Sequence, residues 1–260
     1  MYPYINIFGR TIGTYGILMV LGMFLVVILA IRHGKRVGLA FEDVIIVAAF
    51  AIGFALLGGW LMFIFVTFSI SDIIAFIKAG DFSFLQGGIV FYGGLIGGML
   101  SVFFSLKVIK RPFAVVEQCI VPYIPLGHAI GRVGCVMAGC CHGAPYDGPL
   151  ALYYPNSVLG VDPHQGYFPT QLLEALLNVG ICFCLIAYRK KARRSGDILF
   201  GYLALYSVVR FILEFFRGDA IRGIAGGLST SQWISVGLFA LVVARLLFFK
   251  FKKTADKESA

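Results

Sequence analysis

Two stretches of the sequence carry side chains that can bind an anion and do chemistry. Residues 127–143 read GHAIGRVGCVMAGCCHG and contain one arginine, two histidines and three cysteines. Further along, Tyr206, Arg210 and Glu214 recur at i, i+4 and i+8, which puts them on one face of a helix. Because a guanidinium fork matches the geometry of a phosphate, Arg132 and Arg210 indicate a site for a phosphate-type anion.

The composition places these residues in a membrane. Hydrophobic residues make up 59% of the 260 residues and charged residues only 13%, whereas an ordinary soluble domain has roughly 25% charged residues. The first apolar stretch lacks the basic leader of a signal peptide and is expected to be retained. We predict an all-α polytopic membrane protein with seven helices of about 20 residues each, near 13–32, 44–68, 88–107, 113–133, 168–188, 197–216 and 230–249.

The net charge of +9 follows the predicted topology. Lysine and arginine cluster in every second connection, and residues 134–166 contain neither. The positive-inside rule then puts the N-terminus outside and the C-terminus in the cytoplasm, so nucleic acid is not an expected partner. The clusters are Arg32, Lys35 and Arg36; Lys107, Lys110 and Arg111; Arg189, Lys190, Lys191, Arg193 and Arg194; and Lys250, Lys252 and Lys253.

This topology brings polar side chains from five helices to one depth in the outer leaflet. A charged group costs about 2.5–3.5 kcal/mol at the centre of a membrane helix, so a shared polar site is expected. Arg132 and Arg210 exceed the charge of Glu214, which predicts an anion between them, such as a lipid headgroup phosphate. The alternatives are structural roles for both arginines. Arg210 would then pair with Glu214, and the Arg132 side chain would reach the membrane–water interface. The side chains are Tyr15, Tyr92, Arg132, Glu174, Tyr206, Arg210 and Glu214.

The order of four motifs resembles the prolipoprotein diacylglyceryl transferase family. GGIVFYGGLIGG, GRVGCVMAGCCHG, FPTQLLE and YSVVRFILEFFR follow one another after an early TYG. The resemblance implies transfer of the diacylglyceryl group of phosphatidylglycerol to the lipobox cysteine of a prolipoprotein, with a thioether formed, glycerol phosphate released and no cofactor. It implies a bacterial cytoplasmic membrane protein with its active site toward the outer leaflet. We expect one enzyme domain over 1–253, an extracytoplasmic loop at 134–166 and a cytoplasmic tail at 254–260.

The resemblance also assigns roles to individual residues. Arg132 and Arg210 correspond to arginines that hold the headgroup during catalysis. Tyr92 stands where the family usually has a histidine, and His128, one turn before Arg132, is a candidate replacement base. A structural role for His128 is the alternative. The predicted substrate-binding residues are Tyr15, Gly94, Arg132, Gly143, Tyr206, Arg210 and Glu214.

The signature departs from the family's Asn-Phe-x-Asn-x-Glu run, where this chain has Cys135, Val136, Ala138 and Cys140. Cys135, Cys140 and Cys141 form C-x4-C-C-H with His142, a single run without the separate second ligand pair of structural zinc sites, so no metal is expected. Small packing residues, a disulfide on the outer face, and thiols with a sulfur chemistry of their own remain open interpretations.

Two features near the site are open to a structural interpretation. Gly93, Gly94, Gly97 and Gly98 form a small-residue face that permits close helix packing, and contact with a lipid headgroup is the alternative. The loop at 144–166 either covers the site or meets substrate.

Two other functions use the same residues. A transporter or binder of an anionic lipid or solute needs both arginines without catalysis, and a paralogue would modify another thiol acceptor. The expected partners remain phosphatidylglycerol, lipobox signal peptides and membrane lipid.

Overall fold

The computed structural model describes residues 2–82, 85, 87–157, 161–218 and 224–258, and these are mostly helical. Within these described ranges, six helical stretches are long and apolar enough to cross a membrane: Thr14–Val37, Phe41–Thr67, Tyr92–Ile109, Phe113–Ala138, Thr170–Tyr188 and Thr230–Lys252. The prediction of a mostly helical membrane protein is confirmed in this form. The helices are α1 Thr14–Val37, α2 Phe41–Thr67, α3 Ile70–Ala79, α4 Phe91–Ile109, α5 Phe113–Ile120, α6 Ile124–Ala138, α7 Thr170–Tyr188, α8 Asp197–Glu214 and α9 Thr230–Glu258.

The fourth predicted helix is interrupted. A 3-10 turn at Val121–Tyr123 separates α5 from α6. Pro122 and Pro125 lie at this break, and neither can donate the backbone hydrogen bond of a continuous helix. Next to the break, the buried Glu117 carboxylate accepts hydrogen bonds from the backbone N–H groups of Gly196 (2.6 Å) and Leu199 (3.2 Å). Glu117 thereby satisfies free donors at the start of α8.

Short elements outside the long apolar runs correct the all-α prediction. Two small antiparallel hairpins pair β1 Tyr4–Ile7 with β2 Arg10–Gly13, and β3 Ile224–Ala225 with β4 Leu228–Ser229. Helix α3 was missed because it is too short to span. It begins at Ser69, whose hydroxyl accepts from the Asp72 N–H (3.2 Å), and ends at Gly80 with φ of 69°.

Parts of the predicted loop and tail are helical. Residues 134–138 of the loop belong to α6, and α9 continues to Glu258 through most of the tail at 254–260. Residues 158–160 of the loop and 259–260 of the tail lie outside the described residues.

The contacts divide the chain into two compact units. Unit 1 comprises Met1–Leu29 and Glu117–Ala260, and unit 2 comprises Ala30–Val116. In unit 1, side chains from the 3-10 turn, α7 and α8 form a core of Val121, Ile181, Leu185 and Ile198. This core packs α7 against α8, the helix that carries Tyr206, Arg210 and Glu214.

In unit 2, glycines bring α2 and α4 into backbone contact. A side chain on Gly93 would collide with the Gly58 carbonyl, and one on Gly97 would collide with the Phe54 carbonyl. Gly94 is less crowded, since an added Cβ would lie 3.3 Å from the Ala55 carbonyl oxygen. Gly98 faces open space within the described residues, so only part of the predicted glycine face packs.

This difference allows a matched comparison within one helix. We expect Gly97→Ala to lower the free energy of unfolding by about 1–3 kcal/mol, the usual loss for an overpacked contact. Gly98→Ala should be neutral, because its added methyl meets nothing. Thermal unfolding of the detergent-purified variants measures both, and equal stability of the two would contradict the packing described.

Candidate active site

A buried carboxylate lies at the centre of the polar residues of unit 1. Glu174 is 1% exposed, and its Oε1 lies 2.9 Å from Nη2 of Arg132 and 3.6 Å from Nε2 of His128. Its Oε2 lies 4.0 Å from Nη1 of Arg210. The Tyr206 hydroxyl donates a hydrogen bond of 3.2 Å to the same carboxylate. One carboxylate therefore gathers side chains from α6, α7 and α8.

Helical spacing arranges these partners. His128 and Arg132 lie one turn apart on α6, and Tyr206, Arg210 and Glu214 lie at successive turns of α8. The Nη2 atom of Arg210 is 2.7 Å from Glu214 Oε2 and also donates to the Ser231 hydroxyl of α9 at 3.1 Å. The predicted Arg210–Glu214 pair exists, but it is part of a larger network.

Glycines on α6 let α1 approach this network. An added Cβ on Gly127 would lie 2.8 Å from the Val26 side chain, and one on Gly134 would lie 3.1 Å from the Tyr15 ring. Tyr15 is close enough to Arg132 for their charges to interact. The structure therefore places Tyr15 near Arg132, and its role in substrate binding stays a prediction.

The charge balance of the cluster differs from the one predicted. With Glu174 included, two arginines face two carboxylates, so the excess of positive charge from which a bound anion was inferred is not present in this group. Unused hydrogen-bonding capacity remains. Among the described residues, the buried Nε of Arg132 and Nη1 of Arg210 have no hydrogen-bond partner. Since buried polar groups are normally paired, these donors indicate a missing acceptor.

The remaining predicted site residues have different positions. The Gly143 N–H donates to the Phe168 carbonyl oxygen at 3.2 Å, and an added Cβ would collide with that same oxygen. Gly143 therefore permits a close backbone approach that positions the loop. Tyr92 and Gly94 lie on α4 in unit 2, and their site roles stay predictions.

The three signature cysteines form a cluster. Gly139, with φ of 70°, ends α6, and the Cys140 N–H donates back to the Cys135 carbonyl oxygen at 3.1 Å. This turn closes the four-residue gap of C-x4-C, and the sulfur atoms of Cys135, Cys140 and Cys141 lie within 4.8 Å of one another. Linear spacing therefore underestimated how close these thiols come.

Gln171 on α7 holds the loop that carries the cysteines. Its Nε2 donates to the Cys140 carbonyl oxygen at 2.8 Å and to the Tyr154 hydroxyl at 2.9 Å. Burial raises the pKa of Tyr154 to about 12, so this phenol stays protonated at neutral pH. Gln171 was absent from the predicted site, and Glu174 was included among its polar side chains without a catalytic or binding role. Their signal was the pair of polar residues in FPTQLLE, three positions apart in an otherwise apolar helix.

Comparison with known proteins agrees with the motifs quoted above. Residues 3–248 match the family model for prolipoprotein diacylglyceryl transferase. The chain belongs to this family. It is 34% identical over 246 residues to a phosphatidylglycerol–prolipoprotein diacylglyceryl transferase of Clostridium tetani, covering 94% of each chain. Proteins of the same name match from Clostridioides difficile (33% identity, 97% of each chain) and Geobacter sulfurreducens (32% identity, 87% of this chain and 86% of the relative).

For a prolipoprotein diacylglyceryl transferase family member, the geometry of unit 1 suits stabilisation of a phosphate. Preorganised cationic donors in a dry site stabilise charge that develops on a leaving oxygen. The donors of Arg132 and Arg210 are buried and held by Glu174, so little reorganisation is needed when that charge appears.

Because two arginines share the Glu174 carboxylate, removing its charge should destabilise the protein more than removing the charge of an exposed glutamate. Glu174→Gln should lower the free energy of unfolding by about 3–5 kcal/mol, because it leaves buried guanidinium groups without their counter-charge. The matched change Glu42→Gln at an exposed position of α2 should have little effect. Thermal unfolding in detergent distinguishes them, and indistinguishable melting temperatures would contradict the central role of Glu174.

Proposed function

We propose that this chain is an enzyme that transfers the diacylglyceryl group of phosphatidylglycerol to the thiol of a lipobox cysteine in a prolipoprotein. Membership of the family and the names of the relatives support this activity. The observation that carries it at the site is the pair of buried arginine donors, Arg132 Nε and Arg210 Nη1, that have no acceptor among the described residues.

The proposed reaction is a displacement at carbon. The acceptor sulfur attacks the methylene carbon that joins the diacylated glycerol to the phosphate. A carbon–sulfur bond forms there, and the bond from that carbon to the phosphate ester oxygen breaks. The electron pair goes to the phosphate oxygen, and glycerol phosphate leaves. Arg132 and Arg210 donate to the phosphate as its charge rises, and Glu174 keeps both guanidinium groups in place.

We further propose seven spans, with the N-terminus outside and the site toward the outer leaflet of the bacterial cytoplasmic membrane. Helix α8 is the span added to the six most apolar stretches, and it carries Asp197, Arg210 and Glu214. Each of these charges has a partner, since Arg245 lies 3.0 Å from Asp197 and Arg210 lies 2.7 Å from Glu214. Pairing inside the protein lowers the free-energy cost of placing these charges in a membrane. Helix α8 can therefore span the membrane although it carries these charges.

The activity is tested by its product. Purified protein is incubated with phosphatidylglycerol labelled in the glycerol backbone and a lipobox peptide, and the peptide is analysed by mass spectrometry. We expect a thioether-linked diacylglyceryl peptide and no product with the Cys→Ser peptide. Lipid that binds without forming product would support a binder or transporter instead. Modification of unrelated thiols with no lipobox preference would support the paralogue.

Both arginines should be essential in this assay. We expect Arg132→Ala and Arg210→Ala each to reduce the rate of transfer at least about 10²-fold, the usual loss for a preorganised oxyanion donor. Lysine should restore only part of the rate, because a point charge lacks the guanidinium fork. As a matched control, Arg111→Ala removes a partly exposed arginine paired with Asp43 in unit 2 and should leave the rate unchanged. Near-full transfer by folded alanine variants would refute the assignment.

The source of the acceptor thiolate is a separate question. The reference thiol pKa is about 8.5, so thiolate must come from a general base or from a positive environment. His128 has a structural explanation, since Nε2 lies 3.6 Å from Glu174 and its ring packs 5.2 Å from the Tyr206 ring. We therefore propose that individual positively charged groups close to the acceptor sulfur, rather than His128, favour the thiolate.

Two variants separate these mechanisms. We expect His128→Gln to keep most of the wild-type transfer rate at neutral pH. Tyr92→Phe should lose only the part of the transfer rate that depends on the tyrosine hydroxyl. If His128 is the base, the pH–rate profile of the His128→Gln variant should lack an ionisation near pH 6.5, the reference value of histidine, that the wild-type profile shows. Collapse of neutral-pH activity in His128→Gln, with Tyr92→Phe nearly unaffected, would assign the base to His128.

A further inference from the structure

The cysteine cluster has the donor set of a metal site. Cys135 is buried at the end of α6, and Cys140 and Cys141 are partly exposed in the turn that follows. Their three sulfur atoms lie within 4.8 Å of one another. The other cysteines, Cys119, Cys182 and Cys184, lie within helices and do not join this group.

We propose that Cys135, Cys140 and Cys141 bind one Zn²⁺ ion as three thiolates. Thiolate sulfur is a preferred ligand of this cation, with a Zn–S length of about 2.3 Å. Tetrahedral ligands at that length lie about 3.8 Å apart, so sulfur atoms within 4.8 Å need to move by no more than about 1 Å to bind.

The backbone around the cluster is held in place before any ion binds. The Gln171 side chain donates to the Cys140 carbonyl oxygen at 2.8 Å, and the Ala144 N–H donates to the Phe216 carbonyl oxygen at 2.9 Å. Cys141 has a φ of 58°, a left-handed conformation that is uncommon for a residue with a side chain. Such a conformation persists where the surroundings determine it, and here it turns Cys141 toward the other two thiols.

The charges near the cluster fit a bound dication. Three thiolates and one Zn²⁺ carry a net charge of −1. Arg217 lies within hydrogen-bonding reach of Cys141, and Arg132 is close enough to Cys135 for their charges to interact. These guanidinium groups stabilise the thiolates and offset the negative charge of the filled site.

The fourth position of this ion is open. The nearby His142 ring packs 4.4 Å from the Tyr167 ring, and its Nδ1 lies 3.0 Å from the Gly143 carbonyl oxygen. Among the described residues, the compact group of potential ligands therefore contains three cysteines and no fourth member. Zinc sites with three protein ligands leave one position for water or substrate, which is the arrangement of catalytic sites.

The open position suits the acceptor thiol, and this step rests on the proposed transferase activity. The lipobox cysteine binds Zn²⁺ as thiolate, and its proton passes to water. The bound sulfur then attacks the glycerol methylene, so that the carbon–sulfur bond forms while the carbon–oxygen bond breaks toward the phosphate. Because Cys135 lies three residues after Arg132 on α6, the sulfur and the phosphate are presented side by side.

Metal content tests the site without any assay of transfer. Protein purified with a thiol reductant in trace Zn²⁺ should contain about one zinc per chain by mass spectrometry of the metal. Cys135→Ser/Cys140→Ser/Cys141→Ser should contain almost none, and the matched triple variant Cys119→Ser/Cys182→Ser/Cys184→Ser should keep its zinc. If the first variant misfolds, removal of zinc from the wild-type protein with a chelator and reloading with Co²⁺ should give thiolate-to-cobalt charge-transfer absorption.

Each outcome of this test is informative. Reduced wild-type protein that takes up neither Zn²⁺ nor Co²⁺ would overturn the metal site, as would a disulfide among the three cysteines that persists in reductant. Transfer at full rate by metal-free protein would overturn the catalytic role alone.

The fourth position is tested on the cobalt-loaded protein. We expect a lipobox peptide to increase the thiolate-to-cobalt absorption, whereas the Cys→Ser peptide leaves it unchanged. An identical spectrum with both peptides would exclude binding of the acceptor thiol to the metal. Stoichiometric zinc without any lipidated product would refute the transferase proposal and leave the metal site standing.

Discussion

The polar cluster formed by α6, α7 and α8 depends on the buried carboxylate of Glu174. Glu174 lies within 4.0 Å of two guanidinium groups and of the His128 imidazole, and it accepts the Tyr206 hydroxyl. In an apolar medium a charge of this kind is tolerated only with partners, so Glu174 and the arginines require one another. These contacts join α6, α7 and α8, and one buried donor on each arginine has no hydrogen-bond partner among the described residues.

Helix α7 joins this network to the cysteine turn. Gln171 and Glu174 lie three residues apart on one face, so the first supports the backbone of Cys140 and the second supports the arginines. A two-substrate reaction needs both reactants held in one geometry, and a shared helix provides a rigid support for that purpose. The proposed phosphate site and the proposed thiolate site therefore share α7 as a common support.

Local patterns predicted the helices but not their long-range partners. Apolar length alone located all seven predicted helical segments, and the prolines at 122 and 125 marked the weakness of the fourth. The Arg210–Glu214 pair was foreseeable because both residues lie one turn apart on α8. The contact of Glu174 with Arg132 joins two helices, and no spacing in the sequence reports it. The cysteine cluster was underestimated for a related reason, since a left-handed turn at Gly139 brings together thiols that a linear count separates.

The central claim is that a phospholipid phosphate completes the arginine pair held by Glu174. An experimental structure of the protein in phosphatidylglycerol nanodiscs tests it most directly, with the lipid phosphate located relative to the two guanidinium groups. We expect the phosphate oxygens within hydrogen-bonding distance of Arg132 Nε and Arg210 Nη1, while Glu174 keeps its contact with Arg132. A phosphate bound elsewhere, with both donors still lacking an acceptor, would contradict the claim.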